Sequence, residues 1–179
     1  MSRRDAGLSA AVLGFFAASW FGWAQADPPA WAPAWLGAAS GLCWLVAAAG
    51  LVLGLRSRDT APRERATWRR FGVVVGIEFA AAGAGAGLLA ALGQADYIPV
   101  WVCAVVGVHF LPLVPIFGYG GYRVLAAVLT AGALVSLTVA ATTDVAPSTV
   151  TGVVAGTVLL GFAVSDLARL RLIAPEPAA

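Results

Sequence analysis

Six apolar runs, each about as long as a helix that crosses a bilayer, leave this chain little choice of solvent. They cover residues 7–25, 34–55, 71–92, 98–118, 122–142 and 149–170. A spanning helix takes roughly 20 residues, so six of them use about two thirds of the chain and leave short connections. Composition agrees, with 60% hydrophobic and 11% charged residues, against about 45–50% and about 25% in a soluble domain. The expected fold is all-α: one transmembrane domain over 1–179, a polytopic bundle of six helices with no soluble module. The first run exceeds the roughly 7–15-residue apolar core of a signal peptide and ends in Trp20, Trp23 and Gln25, so it reads as a retained span.

Charge orients the bundle. The chain has no lysine, and its eleven basic residues are all arginine. With the N-terminus inside and six crossings, Arg3, Arg4, Arg56, Arg58, Arg63, Arg65, Arg69, Arg70, Arg123, Arg169 and Arg171 all fall on one side. The three opposite connections hold none of them, and each carries one aspartate: Asp27, Asp96 and Asp144. Positive charge stays cytoplasmic in short loops, so both termini are expected in the cytoplasm. The residue usage, rich in Ala, Gly, Val, Arg and Pro, fits a GC-rich bacterial genome, and the expected location is a bacterial plasma membrane. Arg56, Arg58, Arg63, Arg65, Arg69 and Arg70 crowd one connection. Its plain reading is the topological bias itself; a sharper one is contact with anionic lipid head groups. Nucleic acid is not expected as a partner.

Aromatic residues mark the two boundaries. Trp20, Trp23, Trp31, Trp35, Tyr97 and Trp101 are expected at the outer one, and Trp68, Tyr119 and Tyr122 at the inner one, where amphipathic rings settle. Trp44 falls deeper and reads as a packing residue. Small-residue pairs recur at a spacing of four: Gly37/Gly41, Gly50/Gly54, Gly72/Gly76, Gly83/Gly87 and Gly152/Gly156. They allow close helix crossings in lipid, either within the chain or across a homo-oligomer.

Two ionisable residues lie well inside apolar runs. Glu78 is in the third run and His109 in the fourth, and only a short connection separates those runs. At a rise of about 1.5 Å per residue, Glu78 lies roughly 10 Å and His109 about 13 Å from the inner boundary. The two are therefore expected at nearly one level on adjacent antiparallel helices. A carboxylate in hydrocarbon needs a partner or a proton, and imidazole can be the one or supply the other. Pro112 and Pro115 follow in HFLPLVP and deny donors to the carbonyls of Val108 and Leu111. The fourth helix is expected to kink or unwind there, as helices do at intramembrane ion sites. The plain alternative is a structural clasp between two helices. Asp166, near the inner end of the sixth run, is a candidate third member of the polar site. A local ion pair with Arg169 and Arg171 is the commoner use of such a residue.

Other chemistries lack their parts. There is no GxxxxGK[ST] and no HExxH; one His and one Met are too few for haem in a single chain. Cys43 and Cys103 lie in apolar runs and read as small core residues, not as a disulfide or metal ligands. No cofactor, metal or enzymatic activity is expected.

The segment VVGVHFLPLVPIF, with GIEF about thirty residues before it, resembles a family of small bacterial membrane proteins carrying a GLHFLPLA-like signature. Gly107, His109, Phe110, Leu111, Pro112 and Leu113 match that signature, and Val108 and Val114 depart from it conservatively. The resemblance implies six spans and names no activity. Two expectations follow. One is a small permease or channel-like protein with a Glu78–His109 site gated near Pro112 and Pro115. The other is a non-transporting scaffold or regulator in which the same pair is purely structural.

Overall fold

The computed structural model describes residues 2–57 and 64–172, with Arg171 and Leu172 as backbone only. Arg58 and Arg63 of the arginine-rich connection lie outside the described residues. Six α-helices follow one another: α1 (Arg3–Ala24), α2 (Pro33–Arg56), α3 (Arg65–Ala91), α4 (Ile98–Phe117), α5 (Gly121–Thr142) and α6 (Pro147–Leu172). All six are long and apolar enough to cross a membrane, so the chain is built as a multi-pass membrane protein. A 3-10 turn, Ala95–Tyr97, joins α3 to α4.

Local chemistry sets the ends. Ser2 accepts from the Asp5 amide while Asp5 accepts from Ser2, a capping box that starts α1 four residues before the apolar run. Pro33 opens α2, where its missing N–H costs nothing. Gly118 ends α4 with φ +66°, a left-handed angle that glycine adopts without a Cβ penalty. The largest difference from the sequence reading is at α3, which begins at Arg65 and not at 71. Arginine is a good helix former, so Arg65, Arg69 and Arg70 sit on a helical turn that extends the span instead of in a loop. Arg56 likewise ends α2.

Consecutive helices run antiparallel, which puts Arg3, Arg4, Arg56, Arg65, Arg69, Arg70, Arg123 and Arg169 at one end of the bundle. Asp27, Asp96 and Asp144 lie at the other. We call these the arginine end and the aspartate end.

The helices form two groups. In the first, α1 packs along both α2 and α6. These crossings are backbone against backbone. A Cβ on Gly7 would lie 2.5 Å from the Gly54 nitrogen, and one on Gly152 would lie 2.4 Å from the Trp20 carbonyl oxygen. In lipid such close approach supplies the dispersion that apolar burial cannot. In the second group α4 packs on α5, and α3 lies outside against α4. The groups meet where α6 touches α5 and α4, through side chains such as Val154 against Gly132. No residue of α3 is buried, whereas every other span carries buried positions.

Of the five expected glycine pairs, Gly50/Gly54 and Gly152/Gly156 sit at close crossings. Gly72, Gly76, Gly83, Gly87 and Gly41 face open space, and Gly37 meets only the tip of Gln25. One aromatic assignment changes, at Trp44, whereas Trp20, near the aspartate end of α1, is buried in the core against Trp23. Trp44 faces outward beside Phe15, so its depth in the span did not translate into core packing. Cys43 and Cys103 are buried free thiols, and Cys103 donates to the Leu129 carbonyl.

Candidate functional site

Glu78 and His109 meet across the α3–α4 seam. The antiparallel run brings their levels together, as the equal-depth argument requires, and Glu78 Oε2 lies 3.0 Å from His109 Nδ1. Their side chains keep only 16% and 10% of their surface. The Nδ1 atom is buried and has no aligned hydrogen bond, so Oε2 approaches it off the ring N–H direction. A small rotation of either group would convert this close electrostatic approach into a bond that holds one proton between oxygen and nitrogen.

Aromatic side chains close the seam on both sides of the pair. Toward the aspartate end, the Trp101 indole lies over Gly85 and its Nε1 donates to the Ala81 carbonyl at 3.1 Å. Gly85 makes room for this, because a Cβ there would fall 2.0 Å from Nε1. Toward the arginine end, Phe71 of α3 meets Phe117 of α4 edge-on at 5.5 Å. Trp101 and the Phe71–Phe117 contact start about two turns from the pair along their helices, and the indole reaches back to Ala81, about one turn from Glu78. Beyond Trp101 a cleft of about 450 Å³ opens between α3, α4 and α5, lined by apolar side chains including Leu89, Ala104, Leu134 and Leu137. Neither Glu78 nor His109 lines it.

Of the kink or unwinding expected at the prolines, the unwinding is absent. Helix α4 runs unbroken from Ile98 to Phe117 through Pro112 and Pro115. The unwound segment expected below His109 is therefore not formed. Each proline removes one donor, but the bonds on either side hold the helix together. The contact across the seam is made by the Glu78 and His109 side chains.

Asp166 does not join Glu78 and His109. It is 1% exposed, on α6 at the arginine end, and accepts from Ser9 Oγ at 2.7 Å. Arg169 Nη1 approaches its other oxygen at 3.4 Å and also donates to the Tyr119 hydroxyl at 2.5 Å. The i,i+3 ion pair with Arg169 is present, inside a wider network. The sequence reading missed Ser9, Tyr119 and Trp101 as members of polar contacts. A serine in the first helix carries no local sign that it will reach a carboxylate 157 residues away.

Chemically, a carboxylate and an imidazole 3.0 Å apart can share one proton between them. Among the described residues, no three His, Cys, Asp or Glu side chains gather as a metal site would need. No family model, curated protein or solved structure matches this chain.

Proposed function

We propose that this chain is a small permease or channel-like protein of a bacterial plasma membrane, with both termini cytoplasmic. In this reading Glu78 accepts a proton or small cation, and His109 is its partner. One observation carries it: Glu78 and His109, each far from any other ionisable group on its own helix, meet at 3.0 Å between two spans. Ionisable groups are costly at that depth, and chains that keep them there use them for ion or proton movement by default. The resemblance around GVHFLPL supports a six-span membrane protein and leaves the transported species open. At the arginine end, Arg56, Arg65, Arg69 and Arg70 would contact anionic lipid.

The test is flux. Purified protein in liposomes loaded with a pH-sensitive dye should dissipate an imposed proton gradient, and Glu78→Gln should abolish that activity. Equal leak from wild type, Glu78→Gln and empty liposomes would refute proton carriage.

A second reading draws on the position of α3. This helix has no buried residue and packs against α4 and the 3-10 turn. Glu78–His109 and Trp101–Ala81 are polar ties across that contact. A non-transporting scaffold would use the pair as a clasp. In that case Glu78→Gln or His109→Ala lowers stability in detergent and changes no flux.

A further inference from the structure

Asp166 is a carboxylate in an apolar span with almost no surface, and the proposed proton site does not use it. Ser9 holds one of its oxygens and Arg169 the other. Arg3 of α1 also donates to the Leu170 carbonyl of α6 at 2.8 Å. These contacts lock α1 to α6 within one group of helices. Arg169 does more than neutralise Asp166. Its side chain is 42% exposed, and it leaves α6 to reach Tyr119 in the turn between α4 and α5. Its guanidinium carbon sits 5.0 Å from the Tyr119 ring centre while Nη1 bonds the hydroxyl.

That contact bridges the two groups of helices at the arginine end. Inside the first group, backbones touch at Gly7, Gly54 and Gly152, and sliding there would cause clashes. Between the groups, Val154 of α6 meets Gly132 of α5 through its side chain, and packed helices can slide by small amounts at side-chain contacts of this kind. From Tyr119 the contact continues inward. Tyr119 meets Tyr122 at 5.0 Å, Tyr122 meets Phe110 at 5.6 Å, and Phe110 stands edge-on to His109 at 5.2 Å.

We propose that Arg169 is a latch: anchored on buried Asp166, it grips Tyr119 and holds the two helix groups together at the arginine end. Release of Tyr119 lets the α4–α5 turn move away from α6, and Arg169 keeps its partner Asp166 in both states. A charged donor on a hydroxyl is a strong hydrogen bond, and aromatic stacking of a guanidinium adds to it. Losing the hydroxyl alone should shift the closed-to-open ratio by about tenfold, equivalent to about 1.4 kcal/mol.

The test measures distance and needs no transported solute, so it stands or falls separately from proton flux. Spin labels are placed at Ser57→Cys, which caps the end of α2, and Gly120→Cys in the α4–α5 turn, in a Cys43→Ala/Cys103→Ala background, with the full chain in lipid nanodiscs. Gly120 has open space and an ordinary φ of −63°, so it accepts the label. Tyr119→Phe should increase the population at longer distance about tenfold, and Tyr119→Ala should increase it further. Arg169→Lys, which keeps the charge and loses the planar fork, should give an intermediate shift. A distance distribution identical to the parent's in Tyr119→Phe and Tyr119→Ala, both folded by thermal melt, would overturn the latch. Asp166→Asn provides a second check: the anchor is weakened, and the long-distance population should rise with Tyr119 intact. No rise in that variant would also count against the proposal.

Discussion

Glu78 and His109 each place one atom within the other's reach, and the effect of losing either depends on what is left behind. His109→Ala strands a carboxyl in the α3–α4 seam, and His109→Gln leaves it a polar neighbour. We expect the alanine variant to lose about 1–3 kcal/mol, the cost of an unsatisfied buried polar group, and the glutamine variant less. Thermal unfolding in detergent reads the difference. A Glu78→Gln/His109→Gln double-mutant cycle should return a coupling of about 0.5–3 kcal/mol, since the two groups touch. Gly85 makes a sharper demand, because the Trp101 indole occupies the space that any side chain there would need. Gly85→Ala should cost about 1–3 kcal/mol through overpacking, and displace the indole from the Ala81 carbonyl. Tryptophan emission and the melting temperature should change together.

Among the elements, α3 departs most from the pattern of the other five. Its span was legible from apolar length, but its start was not. The arginines that mark a loop by charge also favour helix by propensity, and the helix begins at Arg65, directly after Glu64. Four of its five glycines, at 72, 76, 83 and 87, read as crossing points in the sequence, yet none of those four has a neighbour within 4 Å; only Gly85 meets another helix, at Trp101. Spacing tells which side chains are small, and it cannot tell whether another backbone lies opposite. This yields a contrast between helices. Gly7→Ala should disrupt the α1–α2 crossing and lower stability, whereas Gly76→Ala should be neutral or gain up to about 1 kcal/mol from helix propensity. Chemical denaturation in mixed micelles separates the two. The same limit applies to α4, where Pro112 and Pro115 imply two missing donors and the neighbouring bonds decide whether the helix breaks. Here it stays whole.

For the whole molecule, membrane placement and helix number follow from hydropathy, and the segregation of charge follows from alternating crossings. The six helices put the described arginines and the three loop aspartates at opposite ends, in agreement with that reading. Periodicity and charge could not reveal the division into two groups. That division depends on which helices touch, and contacts such as Ser9 to Asp166 join opposite ends of the chain. The proposed orientation predicts that a cysteine at Gly120 is labelled by a membrane-impermeant reagent only in inverted vesicles, and one at Asp144 only in right-side-out cells. Labelling of both from the same side would rule out the six-span, termini-inside arrangement.

Proton movement through the α3–α4 seam requires that Glu78 and His109 share an exchangeable proton. Infrared difference spectroscopy of wild type minus Glu78→Gln in lipid, recorded across pH and in H2O and D2O, tests it most directly. A shared proton should give a carboxyl feature that titrates with bulk pH and shifts on deuteration. A difference spectrum indifferent to both pH and deuterium would show a sealed pair and contradict it.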